Sequence, residues 1–282
     1  MNQQYLKGAL WFISHVLISS INDSISVFLG SGLPSFEIVT LRFAFSALTL
    51  FIIMLPRGIS AFKTNHVILH FFRGLLLFIG IAIWVTCLNK VPVVMVTLMS
   101  FTIPIFFIIL AYFFLKEKIG LKKVAITLFG FVGILIVLNP SQDSFHPVSL
   151  LLILAVICFA SLDILNKKYV SDETITNMLF YSALFTLLFS LIPTIMGGWV
   201  WPNQKEIILC FILGAGANLI LYTILKAFSF ADATSLSPLR YCELIFSAII
   251  AYFLFDQVPS NSLYIAALII IPCNILLLKG NK

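Results

Sequence analysis

Residues 232–255 read DATSLSPLRYCELIFSAIIAYFLF, and the fold follows from how this stretch is read. Its length and apolar content suit a bilayer crossing. Two charges, Arg240 and Glu243, nevertheless stand near its middle. At about 100° per residue, Ser237, Arg240, Glu243 and Ser247 fall on one side of a helix whose other faces are Ile, Phe, Leu and Ala. A charge at the bilayer centre costs roughly 2.5–3.5 kcal/mol on insertion scales. A chain tolerates that cost where the charge faces a paired or wet interior. The expected arrangement is a polar stripe turned towards a cavity, with other helices around it. The alternative is that Arg240 and Glu243, one turn apart, merely pair with each other.

The rest of the chain has the same character. Of 282 residues, 61% are hydrophobic and 10% charged, against about 25% charged in a soluble domain. Mean hydropathy is +1.11. Apolar runs are about twenty residues long rather than alternating ten-residue segments, which selects an all-α integral membrane protein and excludes a β-barrel. No Walker-type phosphate loop occurs, so ATP hydrolysis by that route is excluded. Cys87, Cys158, Cys210, Cys242 and Cys273 sit in apolar runs without metal or redox spacing and read as small buried hydrophobes. His15, His66, His70 and His146 are scattered without a zinc signature. Neither a metal nor a cofactor is called for. Loops too short and too poor to hold a catalytic cluster argue against a membrane enzyme.

About ten spans are expected. They cover 8–29, 36–55, 69–88, 91–115, 124–138, 148–165, 178–196, 207–230, 232–255 and 263–278. The first contains His15, Asn22 and Asp23, too long and too polar for a cleaved signal core, and is read as a retained helix. Lys and Arg alternate between the two sides. One set of ends carries Lys7, Arg57, Lys63, Arg73, Lys116, Lys118, Lys122, Lys123, Lys167, Lys168, Lys226, Lys279 and Lys282; the other carries Lys90 and Lys205. This asymmetry predicts cytoplasmic N- and C-termini, hence an even number of spans. It also accounts for the net charge of +6 without a nucleic-acid partner. Trp199 and Trp201 suit the outer interface.

A shift of about 140 residues lays the chain on itself. AYFFL (111–115) meets AYFLF (251–255), Ile105-Phe106 meets Ile245-Phe246, and Asp23 meets Asp163. Two halves, 1–140 and 141–282, then hold about five helices each. An odd number makes the second half enter from the opposite side. Such inverted repeats are common among secondary transporters, with a substrate site near the midplane. Asp23 and Asp163 would then stand near the two mouths of one path. Alternatively, Asp23 caps or pairs locally, and Asp163 neutralises Lys167 four residues on.

Inside the spans stand Arg42, Arg240, Glu243, Asp23 and Asp163, with Glu37 at a rim. Both signs are present, which suits a zwitterion: an arginine fork for a carboxylate, a carboxylate for an amine. Tyr241, Tyr222, Trp84 and Tyr181 offer aromatic faces for cations or planar rings. Pro104 and Pro238, in corresponding spans, either kink a packed helix or free carbonyls towards a cavity. Gly130, Gly133, Gly214 and Gly216 permit close helix contacts.

Several segments carry a resemblance over essentially the whole chain. They are Arg73-Gly74-Leu75-Leu76-Leu77-Phe78, Leu162-Asp163-Ile164 with Asn166-Lys167-Lys168, and Met178-Leu179-Phe180-Tyr181-Ser182-Ala183. Arg240-Tyr241, Glu243-Leu244, Ser247-Ala248-Ile249 and Ala251-Tyr252-Phe253 with Phe255 complete the set. The chain resembles the drug/metabolite transporter superfamily of the EamA type, and more closely the S-adenosylmethionine uptake transporters of obligate intracellular bacteria. The resemblance implies a multi-pass protein of the bacterial inner membrane that moves a small molecule, with the lipid bilayer as its surroundings. S-adenosylmethionine would need carboxylates for its cations, an arginine for its carboxylate and an aromatic face for its purine. Glu243, Asp23 or Asp163, Arg42 or Arg240, and Tyr241 or Trp84 are the candidates. EamA-type export or import of amino acids or other amphipathic metabolites is the alternative.

Overall fold

Hydrophobic runs of this length satisfy their backbone groups internally only as helices. The computed structural model describes residues 3–30, 32–88, 90, 96, 99–117, 119–138, 149–255 and 268, and these contain helices and no strand. The main helices are α1 (Gln3–Leu29), α2 (Ser35–Met54), α3 (Val67–Leu88), α4 (Ile103–Phe114), α5 (Leu121–Leu138), α6 (Ser149–Tyr169), α7 (Ile175–Gly197), α8 (Gln204–Phe230) and α9 (Glu243–Phe255). Among the described residues, six segments are long and apolar enough to cross a membrane: Gln3–Leu29, Ser35–Arg57, Val67–Cys87, Leu150–Tyr169, Ile175–Gly197 and Gln204–Phe230. Their outward faces bear exposed Ile52, Ile53, Leu188, Ile192 and Phe211, as lipid contact requires. The span expected at 263–278 lies, except for Leu268, outside the described residues.

Helix ends follow local chemistry. Asn203 and Glu206 form a reciprocal capping box that starts α8, with Asn203 Oδ1 accepting from the Glu206 N–H at 3.0 Å and Glu206 Oε2 accepting from the Asn203 N–H at 2.7 Å. Thr174 caps α7 by accepting from the Asn177 N–H at 3.2 Å.

The helices pair across the two halves. Helix α1 packs along α8, and α3 along α6; α2 packs on α7; α2 also meets α8, and α3 meets α7. Helix α4 rests on α6, as α9 rests on α1. Exchanging the first half for the second leaves this pattern unchanged. Close approach needs small residues at the crossings: a β-carbon on Gly214 would lie 2.6 Å from the Arg42 carbonyl oxygen, and one on Gly74 would collide with Phe185.

One end of the bundle gathers the basic residues. There Tyr5 Oη donates to the Ser235 carbonyl at 3.0 Å, Lys167 Nζ donates to the Phe228 and Ala231 carbonyls at 2.8 and 2.9 Å, and Lys123 Nζ donates to Thr234 Oγ1 at 3.1 Å. The loop at 58–66 is tied to the same end, with Tyr181 Oη donating to the Phe62 carbonyl at 2.6 Å and Asn177 Nδ2 to the Lys63 carbonyl at 2.8 Å. At the opposite end the Val200 N–H donates to Glu37 Oε2 at 2.9 Å, and Lys205 lies 4.7 Å from the Phe28 ring centroid. Glu37 thus ties α2 to the 198–203 connection.

The opening stretch is not one regular helix. Ala233–Leu236 is a single α turn, Ser237–Cys242 is 3₁₀, and α9 begins at Glu243. Pro238 causes the break, because it has no N–H for the ladder and enters at the first turn of the 3₁₀ segment. Pro104 likewise occupies the first turn of α4 rather than the middle of a span. The expected 100° spacing therefore fails between Ser237 and Glu243. A 3₁₀ coil repeats every three residues, so Ser237, Arg240 and Glu243 still share a face, for a different reason.

Candidate functional site

A cavity of about 150 Å³ lies between the halves. Helix α1 lines it with His15, Ser19 and Asp23, at positions i, i+4 and i+8 of one face. Helix α2 brings Arg42 and Phe43, and α3 brings Leu77, Ile81 and Trp84. Phe159, Asp163 and Asn166 come from α6, and Ser182 and Ala183 from α7. Helix α8 adds an apolar wall at Ala217, Ile220 and Ile224, and Arg240 and Glu243 complete the lining.

Of the residues singled out from sequence, Glu243, Arg240, Asp163, Asp23, Arg42 and Trp84 meet here. Tyr241 does not. It is buried on the other side of the 3₁₀ coil, its Oη donating to the Thr127 carbonyl at 2.8 Å and its ring 5.9 Å from that of Phe101. Adjacent residues on such a coil point about 120° apart, so Arg240 and Tyr241 cannot share a face. Tyr222 and Tyr181 also lie off the lining, against Trp11 and His70 respectively.

The charges are not equivalent. Arg240 Nη2 donates to Asp163 Oδ2 at 2.9 Å. Arg240 therefore pairs with Asp163 rather than with Glu243, and Asp163 does not serve Lys167, whose ammonium is held by carbonyls. Arg42 is buried, has no carboxylate within 4.0 Å among the described residues, and leaves Nε without a hydrogen-bond partner. Asp23 lies within electrostatic reach of it but outside ion-pair contact. Glu243 feels Asp23 and Arg240. With all groups ionised, the carboxylates Asp23, Asp163 and Glu243 outnumber the guanidiniums Arg42 and Arg240 by one.

Neutral polar residues complete the lining, and the sequence reading passed over them. His15 Nδ1 faces the Ile220 carbonyl at 3.0 Å. A carbonyl only accepts, so Nδ1 carries the proton and Nε2 is left as an acceptor. The signal available was the His15–Ser19–Asp23 stripe at helical spacing. Asn166 and Ser182 lay within the resembling segments but carried no charge to draw notice. Trp84 and Phe159 meet edge to face, ring centroids 6.0 Å apart at 73°.

Ions of both signs around a cavity, in a bundle that pairs half against half, suit a solute path. The EamA-like transporter family model matches residues 6–139 and again 146–278. The chain belongs to the EamA-like transporter family. As an EamA-type transporter it is a multi-pass helical membrane protein whose family signature occurs twice. It is 44% identical over 278 residues to a Rickettsia prowazekii (strain Madrid E) protein named S-adenosylmethionine uptake transporter, covering 99% of this chain and 94% of that one. A Rickettsia bellii (strain RML369-C) protein of the same name is also 44% identical, with 99% and 95% covered. A Vibrio cholerae riboflavin transporter is 30% identical, with 94% and 91% covered. A solved crystal structure shares the fold, with TM-score 0.81, 18% identity, and 98% of this chain and 99% of that chain covered.

Proposed function

We propose that this EamA-type transporter imports S-adenosylmethionine across the bacterial inner membrane by alternating access around the cavity. One observation carries the reading: the cavity has one more carboxylate than guanidinium. S-adenosylmethionine carries a sulfonium, an ammonium and a carboxylate, so its net charge is complementary. Arg42 is the guanidinium of the cavity without an ion pair among the described residues, and it receives the substrate carboxylate. Asp23 and Glu243, like charges within reach of each other, receive the cations. Trp84 stands against the purine or the sulfonium. Arg240 and Asp163 hold each other and shape the wall. The relatives of the same name, 44% identical, support the substrate.

The further reading is of about ten spans in two inverted five-helix repeats, 1–140 and 141–282. The exchange-symmetric helix pairing supports it. Gathering of the basic residues at the end that holds the N-terminus favours cytoplasmic termini. A cavity of about 150 Å³ is smaller than the roughly 300–1,000 Å³ of small-molecule pockets, so the helices must part to admit a nucleoside. Nothing in this scheme requires a cofactor, a metal or a nucleic acid.

Uptake of labelled S-adenosylmethionine into proteoliposomes, with and without internal S-adenosylhomocysteine, tests the function. Saturable uptake accelerated by the internal compound is expected for an exchanger, and saturable uptake without acceleration for another coupling. Absence of uptake by folded, inserted protein would overturn the substrate and turn attention to amino acids and other amphipathic metabolites.

A further inference from the structure

Arg73 stands behind the cavity wall and shapes one corner of it. It is fully buried on α3 and has no carboxylate within 4.0 Å among the described residues. Its Nε and Nη2 donate to Asn166 Oδ1 at 3.0 and 2.8 Å, and its Nη1 donates to the Met178 carbonyl at 2.9 Å. A guanidinium only donates, so it decides which way the Asn166 amide faces. The oxygen turns to Arg73, and Nδ2 is left on the other side. That nitrogen is buried and makes no hydrogen bond of ordinary length, and the amide acts on the Asp163 carboxylate from beyond that distance. Asn166 lines the cavity at 0% exposure. Ser182, one turn beyond Met178 on α7, lines it too at 0% exposure, and its Oγ also lacks a partner. Buried polar atoms are nearly always hydrogen-bonded. Two orphans, on the two helices that Arg73 ties together, mark a place where a ligand supplies the missing bonds.

We propose that Asn166 Nδ2 and Ser182 Oγ read the edge of the substrate's purine, with Asn166 donating to ring nitrogen N1 and Ser182 accepting from the 6-amino group. Arg73 is a positioning residue that fixes the amide. The proposal rests on the S-adenosylmethionine reading and adds the base subsite to it. The N1 edge lies farthest from the sugar, so it enters a closed corner first and leaves the amino-acid end among Arg42, Asp23 and Glu243. Trp84 and Phe159 offer ring faces to the base.

The test is competition for S-adenosylmethionine uptake in proteoliposomes by unlabelled S-adenosylmethionine and by its hypoxanthine counterpart. Replacing the 6-amino group by a carbonyl puts a protonated N1 opposite Nδ2, donor against donor. Wild type is expected to prefer the adenine form by about tenfold or more. Asn166→Asp keeps an acceptor for Arg73 but turns the donor into an acceptor, and it is expected to reverse the preference. Ser182→Ala and Arg73→Lys, which loosens the amide, are expected to reduce the preference severalfold, with competition by methionine unchanged. General damage lowers uptake of both forms and cannot invert their order. Saturable wild-type uptake without base preference overturns the subsite and leaves the transport reading intact. An unaltered preference in folded Asn166→Asp, or in Ser182→Ala if that variant alone is obtained folded, also overturns it. Absence of wild-type uptake removes the transport reading and the subsite together.

Discussion

Arg42 and Arg240 line one cavity from opposite halves, yet they are in opposite states. Arg240 leaves a 3₁₀ coil and closes on Asp163 at 2.9 Å. Arg42 leaves a regular helix, faces Asp23 without touching it, and keeps Nε unbonded. Each arginine has an aspartate from the first helix of its own half as neighbour, Asp23 on α1 and Asp163 on α6. One pair is closed and the other open. Under the proposed scheme the ion-paired arginine belongs to the scaffold, and the arginine without a contacting carboxylate is the one that meets the ligand. Two residues that look alike in sequence thus differ by a few ångströms of partner distance, and the proposed scheme gives them different duties on that ground.

The widest separation is expected from removing the closed pair's cation. Arg240→Ala strands the Asp163 carboxylate in the interior and is expected to destabilise the protein by about 3–5 kcal/mol in detergent unfolding. Substituting both partners, Arg240→Met with Asp163→Leu, is expected to recover most of that stability. If the double variant is as unstable as the single one, the pair is not the scaffold element described. Next comes the open arginine. Arg42→Ala is expected to lower uptake about 100-fold, with unfolding changed far less than in Arg240→Ala. Equal transport loss per unit of lost stability in the two variants would erase the contrast.

A smaller effect is expected at Glu243. Glu243→Gln keeps shape and removes one negative charge, so apparent affinity for a cationic substrate is expected to fall about tenfold with melting unchanged. Unchanged affinity would assign Glu243 a structural role.

The smallest effect concerns a carboxylate outside the spans. Burial raises the Glu173 carboxyl, but Thr64 Oγ1 at 2.5 Å, the Thr174 N–H at 3.0 Å and Asn177 Nδ2 at 3.1 Å donate to it and hold it below its ordinary value of 4.5. A lowered value means that its stabilisation is present above 4.5 and is lost as pH falls through the lowered value. Glu173→Gln is expected to cost about 1 kcal/mol at neutral pH, with the difference from wild type closing in acid. A difference that persists in acid would assign the cost to shape rather than charge.

Much of the architecture was legible along the chain. Runs of about twenty apolar residues can only be membrane helices, and the side-by-side alternation of Lys and Arg matches the gathering of cations at one end of the bundle. The family was legible too, in segments such as Arg73–Phe78 and Leu162–Ile164, and the paired aspartates pointed to the internal repeat. Intramembrane charge is costly enough that its mere presence marked Asp23, Arg42, Asp163, Arg240 and Glu243. Adjacency misled at Tyr241, because the next residue along a helical coil points 100–120° away from Arg240 and so off its face. Periodicity was silent on Asn166 and Ser182, whose significance lies in bonds they lack.

Composition and charge placement therefore determined by themselves that this chain is a helical membrane protein with ions turned inward, because hydration energy acts on each residue whatever its neighbours. Only the tertiary structure decided which of those ions are satisfied. Arg240 meets an aspartate 77 positions away and Arg73 an asparagine 93 positions away, and hydrogen bonds of that kind exist only once three helices have been brought within 3 Å of one another's side chains.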